Sequence, residues 1–361
     1  MKKLIYILFL IPNIISSCRN REEGINGTWI EVDNFQNPSI LEIGDFSYKD
    51  TVNNQTFEKI YYFNNDTFYS NGAVQIYKSI IKKNKNRLQI YDVGEDTAIQ
   101  VFERNTYENI VEYFNHKKGA SIDLPQLKNS FQSTRDNYLN TMYVDYINKK
   151  MVVYFNGELH EINDTSYLAL RNRRRKDNCQ LFIDKELKVE LLNKIKTELR
   201  KGQLNAIGYV IFSKNDALTT IGFRLPPLGI IGDLPLPPPL PVGIGKKQEN
   251  IVIQINVDFL FLNSRKVEPD DLKENLKKLI RLNNNSVLKV FFCEQLDFET
   301  YINYVVAMQQ AYIDLRNEYS MSNYKQSDYL ELEYEVVRTI RNKYPMKIQE
   351  INKEELLKYA L

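Results

Sequence analysis

Two segments of this chain, 109 residues apart, carry the same apolar spacing, and that repetition limits the fold more than any other feature. Leu187, Val189, Leu192 and Leu199 fall without a gap on Leu296, Phe298, Tyr301 and Met308. In both places an apolar run precedes the segment: Cys179–Asp184 in the first, Val287–Cys293 in the second. Short apolar runs read as buried strands, and leucines at helical spacing read as one buried helix face. The first copy is therefore expected to hold a strand at Met151–Phe155, a turn at Asn156-Gly157 and a hairpin partner at Glu158–Ile162. A strand at Cys179–Asp184, a helix ending at Lys201-Gly202 and a strand at Ala206–Phe212 follow. Strand, helix and strand in that order give parallel pairing through a right-handed crossover. The second copy repeats the order with a strand region at Ile251–Leu262, a helix at Asp270–Leu282 and a strand at Val287–Cys293. A longer helix starts at Phe298, another lies around Leu330–Ile340, and a last strand falls at Met346–Ile351. The reading is two α/β (α+β sandwich) units, 150–223 and 250–361.

Between them, 224–249 is rich in proline, with the densest cluster from Pro235 to Pro241. Polyproline II is expected chiefly there. The alternating Leu and Pro are too apolar for a plain solvated linker, so the segment is expected to lie over the α/β units; the other reading is a docking strip for an aromatic groove. The element order of each unit, with Asp184 closing a strand and Gly202 closing a helix, resembles the periplasmic domain of the ExbD/TolR biopolymer-transport family. That family carries a transmembrane helix with a proton-path Asp, which neither copy has beside it. The resemblance implies an envelope module that contacts protein and pairs with a second copy, without motor activity.

Residues 24–107 read differently. Ile40–Ile43, Lys59–Phe63 and Arg87–Tyr91 are short β-prone runs separated by turn formers such as Asn64-Asn65-Asp66 and Asn84-Lys85-Asn86. Such a meander gains most by closing into a barrel, which removes its edges. Its first strand opens Gly27-Thr28-Trp29, with the one Trp of the chain, and Arg104 follows its last. This resembles the lipocalin and calycin pattern, where the Trp plugs one barrel end and a late Arg covers the ring. The resemblance implies a small antiparallel, lipocalin-like β-barrel closed by Gly27, Trp29 and Arg104, and a small apolar ligand as one partner. Residues 108–149 are read as a connector with helical stretches at Tyr107–Asn115 and Ser133–Ile147.

The N-terminus supplies an address. Lys2 and Lys3 precede a largely apolar run, Leu4–Ile15, too short to span a bilayer comfortably. Residues 1–17 read as a signal peptide. Ile15-Ser16-Ser17-Cys18 resembles the lipobox of bacterial lipoproteins, which implies cleavage before Cys18 and acylation of that residue, palmitate being one such chain. Residues 18–23 form the tether, and Arg21-Glu22-Glu23 resembles the surface-export signal of Bacteroidota lipoproteins, with Arg where that pattern usually has Lys. The expected location is the outer membrane, on its periplasmic side or at the cell surface. The membrane is reached through lipid on Cys18.

The 361 residues are enough for two or three domains at roughly 100–200 residues each. With 48 Lys and Arg against 46 Asp and Glu, losing Lys2 and Lys3 leaves no net charge. That argues against nucleic acid as a partner. Catalytic chemistry has little to work with. His160 lies near Glu158 and Glu161, which would raise its basicity, but no nucleophile motif accompanies it. His116 sits in the connector between polar neighbours and reads as solvated. Two isolated histidines give no zinc spacing, and phosphate loops, dinucleotide fingerprints and Gly-x-Ser-x-Gly are missing. Cys179 and Cys293 read as free thiols in buried strands, since pairing needs Cα atoms within about 7 Å. Arg171, Arg173, Arg174, Arg175 and Lys176 read as a solvated loop; the functional reading is contact with lipid or lipopolysaccharide phosphates. The expectation is a multidomain, non-enzymatic envelope protein with no cofactor and no metal. It would act in protein interaction or scaffolding, beside transport machinery, with envelope proteins as partners. A small-ligand carrier or sensor is the alternative.

Overall fold

The computed structural model describes residues 27–32, 40–43, 47–52, 55–64, 67–71, 76–84, 87–94, 97–128, 140–155, 158–160, 178–201, 204, 206–225 and 249–359. The fold is mixed α/β and built on several sheets. Its described residues divide into two compact units: those within 1–120, 137–142 and 154–159, and those within 121–136, 143–153 and 160–361.

Eight strands of the first unit run β1 (Gly27–Glu31), β2 (Ile40–Ile43), β3 (Ser47–Val52), β4 (Gln55–Asn64), β5 (Thr67–Asn71), β6 (Ile76–Asn84), β7 (Arg87–Asp92) and β8 (Gln100–Arg104). Each pairs antiparallel with the next, and β8 returns to β1 to close the barrel. Closure satisfies the main-chain groups that an open sheet would leave at its edges. Side chains alternate as the two-residue period requires: Leu41 and Ile43 are buried on β2 while Glu42 is exposed. Trp29, Leu41, Ile43, Leu88 and Phe102 form a buried cluster, with Ile81 and Ile90 packed on it. Helix α1 (Ile110–Lys118) follows, capped by the Asn109 side chain at its start and by left-handed Gly119 at its end. It is tied to the barrel by the Tyr113 hydroxyl donating to the Glu31 carbonyl, 3.2 Å, and by the Lys117–Glu103 ion pair, 2.7 Å.

A six-stranded sheet has the order β11-β10-β9-β12-β13-β14, from β9 (Asn140–Ile147), β10 (Lys150–Phe155), β11 (Glu158–His160), β12 (Asn178–Ile183), β13 (Ala206–Phe212) and β14 (Leu218–Arg224). Two sequence expectations change here. The stretch Asn140–Ile147, read as the end of a helix, is a strand, because Thr141, Tyr143 and Val144 are β-branched or aromatic and buried. The strand β14 has no counterpart in the sequence reading. Asn148 and Lys149 both take positive φ (51° and 63°), the backbone of a tight two-residue hairpin that matches the strand twist. Helix α2 (Val189–Lys201) buries Val189, Leu192, Ile195, Lys196 and Leu199 and carries the chain from β12 to its parallel neighbour β13.

A five-stranded sheet has the order β17-β16-β15-β18-β19, from β15 (Asn250–Ile255), β16 (Leu260–Leu262), β17 (Arg265–Val267), β18 (Val287–Phe292) and β19 (Ile348–Glu350). Asn263 and Ser264 form another positive-φ hairpin. Helix α3 (Leu272–Leu282) precedes β18, and α4 (Phe298–Tyr324) follows it; α5 (Tyr334–Lys343) leads to β19, and α6 (Lys353–Leu357) comes last. The 109-residue repeat of the sequence is carried into the backbone. β12 and β18 begin and end at equivalent positions, as do the starts of α2 and α4. The turns between them match as well: Leu187 N–H donates to the Asp184 carbonyl at 3.1 Å, and Leu296 N–H to the Cys293 carbonyl at 3.2 Å. Copies that spell their core with different residues therefore fold alike, because the positions of burial coincide.

Candidate functional site

Among the described residues, chemistry-bearing side chains come together at the barrel end and between the α/β repeats. The first of these is where β1 meets β8. Trp29 is fully buried, and its register partner across the strand pair is Arg104. The guanidinium carbon lies 4.3 Å from the indole centroid, a cation over a π face. Gly27 sits two residues before the Trp with φ at +124°, a conformation that L side chains rarely adopt. A Cβ there would also come within 1.8 Å of Arg104 Nη1. Gly27, Trp29 and Arg104 are thus one packed group: the glycine leaves the volume that the guanidinium fills, and the guanidinium lies on the ring. Cys18 lies outside the described residues, as do Glu161, the Arg171–Lys176 run and the proline-rich stretch 226–248.

The second place is between the two α/β repeats. Lys196 points from the buried face of α2, with only 4% of its side chain exposed. Its Nζ donates to the Tyr301 hydroxyl at 2.8 Å and to Glu350 Oε1 and Oε2, both at 3.0 Å. Tyr301, fully buried on α4, donates its own hydroxyl to Glu350 Oε1 at 2.6 Å. Glu350, on β19, keeps 30% of its side chain in solvent. Burial by itself would raise the Glu350 carboxyl. The Lys196 ammonium, the Tyr301 hydrogen bond and the nearby Arg200 charge outweigh it and hold the carboxyl below the usual carboxylate range. Burial pulls the Lys196 ammonium below its ordinary value, against the attraction of Glu350. Burial likewise lifts the Tyr301 and Tyr209 phenols well above theirs, so both stay protonated donors. Tyr209, on β13, lies edge-on to Phe298 at 5.2 Å and to Tyr301 at 6.3 Å; its hydroxyl is near Tyr301 but makes no hydrogen bond of regular geometry.

Neither histidine joins either place. His116 is exposed on α1, as its sequence context implied, with its Nδ1 3.0 Å from the Tyr107 hydroxyl. His160 ends the three-residue β11 and is half-buried. Cys179 and Cys293 are free. Cys179 is buried, which pushes its thiol far up; Cys293 lies one residue past the end of β18 and is only half-buried, not inside the strand as expected. The buried carboxylates Asp145 and Asp184 are held by main-chain donors: Ser121 N–H at 2.8 Å and Tyr146 N–H at 2.7 Å for the first, Glu186 N–H at 2.9 Å and Asp123 N–H at 3.0 Å for the second. These bonds fix turns. Among the described residues no group of three or more His, Cys, Asp or Glu is placed to hold a metal ion.

Sequence reasoning missed Lys196, Tyr301 and Glu350 as a set. One signal was present: Lys196 is four residues after Leu192 and three before Leu199, squarely on the apolar stripe of its helix. No family model matches this chain, and neither a curated protein nor a solved structure matches it.

Proposed function

We propose that this is a lipid-anchored protein of the cell envelope, held at the outer membrane through Cys18, whose paired α/β repeats serve as a non-enzymatic scaffold for protein contacts. The observation that carries the reading is a buried ionic cluster between the repeats. Lys196, Tyr301 and Glu350 are bonded to one another, so their charge holds the two repeats together. A pair fixed in this way presents its remaining surfaces in one arrangement, which is what a scaffold needs. The likeness of each repeat to the ExbD/TolR periplasmic module supports an envelope setting. Among the described residues no helix is long and apolar enough to cross a membrane, and the proposed anchor is lipid. The barrel is read as lipocalin-like on the strength of Gly27, Trp29 and Arg104, with the Trp end filled by side chains.

The test has two parts. Cells fed an alkyne analogue of palmitate should label the wild-type chain and leave Cys18→Ala unlabelled and released from membranes; label on both, or on neither, overturns the anchor. Photo-crosslinking side chains placed singly at Phe259, Tyr334, Val93 and Ile99, all exposed, then report neighbours in intact cells. Adducts with a defined envelope protein from Phe259 or Tyr334 support the scaffold. Adducts confined to Val93 and Ile99, with lipid recovered from the purified barrel, would move the function to ligand carriage.

A further inference from the structure

The main-chain contacts between the repeats include a symmetric pair. Glu190 N–H donates to the Glu294 carbonyl at 3.1 Å, and Glu299 N–H to the Lys185 carbonyl at 3.0 Å. Glu190 and Glu299 are equivalent residues of the two copies, as are Lys185 and Glu294. Lys188 and Asp297, also equivalent, form an antiparallel bridge with each other. Contact of residue i with j and of j with i, together with a position meeting its own equivalent, is the mark of a two-fold axis. The repeats are therefore arranged like a symmetric dimer within one chain. By its backbone alone, such an interface would accept two first repeats or two second repeats as readily as one of each.

Side chains at this interface break that symmetry. Lys196 is equivalent to Val305, and Leu192 to Tyr301. The strand registers Leu181↔Tyr209 and Val290↔Glu350 make Tyr209 equivalent to Glu350. In the mixed pair Lys196 meets both Glu350 and Tyr301. Two first repeats would bring Lys196 against Tyr209 and Leu192, with no carboxylate to receive it. Two second repeats would bring Glu350 against Val305 and Tyr301, with no cation. Each wrong pairing strands a charge, and discrimination of this kind rests on the penalty against the competitor. We infer that the Lys196–Tyr301–Glu350 cluster selects the partner: the dyad face of each repeat takes the other repeat and rejects its own kind. The inference goes beyond the scaffold reading and does not depend on lipidation.

Hydrogen exchange at the Glu190 and Glu299 amides reads this interface directly, in the full-length protein. Lys196→Glu and Glu350→Lys should each lose protection there by about tenfold or more. Lys196→Glu/Glu350→Lys in one chain should recover protection, because opposite charges face again. An equimolar mixture of the two single variants, refolded together, should form a species of twice the mass in which repeats are exchanged between chains and protection returns. If a reversal variant does not fold, Lys196→Met and Glu350→Leu put the same question: each alone loses protection, and together they regain it. Wild-type protection in the single variants overturns the inference. So does a double variant no better protected than its parents, or a mixture in which protection does not return.

Discussion

Gly27→Ala offers a quantitative test of how the barrel end is held. A methyl group at residue 27 would lie 1.8 Å from Arg104 Nη1, so the guanidinium must leave the indole face. Its departure breaks a cation–π pair at 4.3 Å, about 0.5–2 kcal/mol. The backbone adds a separate cost. At φ +124° a non-glycine residue is strained by about 1–3 kcal/mol. The variant should therefore lose about 3 kcal/mol of stability in total, with about 1 kcal/mol of it shared with Arg104. A double-mutant cycle separates the two parts. In an Arg104→Ala background the steric conflict is gone, and Gly27→Ala should cost only the backbone strain. Urea unfolding followed by Trp fluorescence is the assay, because Trp29 is the one Trp in the chain and reports this end alone. Equal costs of Gly27→Ala with and without Arg104, within about 0.3–0.5 kcal/mol, would refute the reasoning and leave backbone strain as the whole effect.

Glu350→Ala should destabilise the pair of repeats by about 2 kcal/mol, less than the 3–5 typical of a broken buried ion pair because 30% of the Glu350 side chain is solvated; chemical denaturation measures it. Tyr301→Phe should cost about 1 kcal/mol in the same assay, since Lys196 and Glu350 still meet without the hydroxyl. Asp297 caps α4 by accepting from the Thr300 amide at 2.7 Å, so Asp297→Ala should lose about 1 kcal/mol. Acid should act through Glu350. Its carboxyl lies below the ordinary value in the folded state, so its contribution is present above about pH 4.3 and is lost as pH falls through the lower folded value. Unfolding curves of the wild type and Glu350→Gln should converge over that acid window and separate above it.

The fold was legible wherever burial had a period. The equivalence of Leu192 with Tyr301, or of Leu199 with Met308, could be read because helix faces repeat every three to four residues whatever apolar side chain fills them. Asn140–Ile147 reads as helix in sequence because the connector before it has no strong period, and its β-branched and aromatic residues compete there with a helical spacing. The strand β14 carried a usable signal, Thr219, Thr220 and Ile221 after a turn at Asn215-Asp216, but the repeated element order ends at its partner, the expected strand Ala206–Phe212. The barrel-end residues were visible as a local motif. Lys196 was visible as an anomaly on an apolar face, but the residue that answers it lies 154 positions away on a three-residue strand, and nothing local in a sequence states which charge meets which.

That distance has a kinetic consequence. Translation proceeds at about 5–20 residues per second, so the stretch from Lys196 to Glu350 takes roughly 8–30 seconds to make. Through that interval the first repeat has Lys196 in place without the Glu350 carboxylate that receives it. An apolar side chain at that position would invite capture by another nascent chain. Lys196 instead carries an ammonium that stays hydrated until Glu350 arrives. A residue that ends as a buried charge at the contact between the repeats thus begins as a gatekeeper, keeping the half-made protein soluble until its second half is there to cover it.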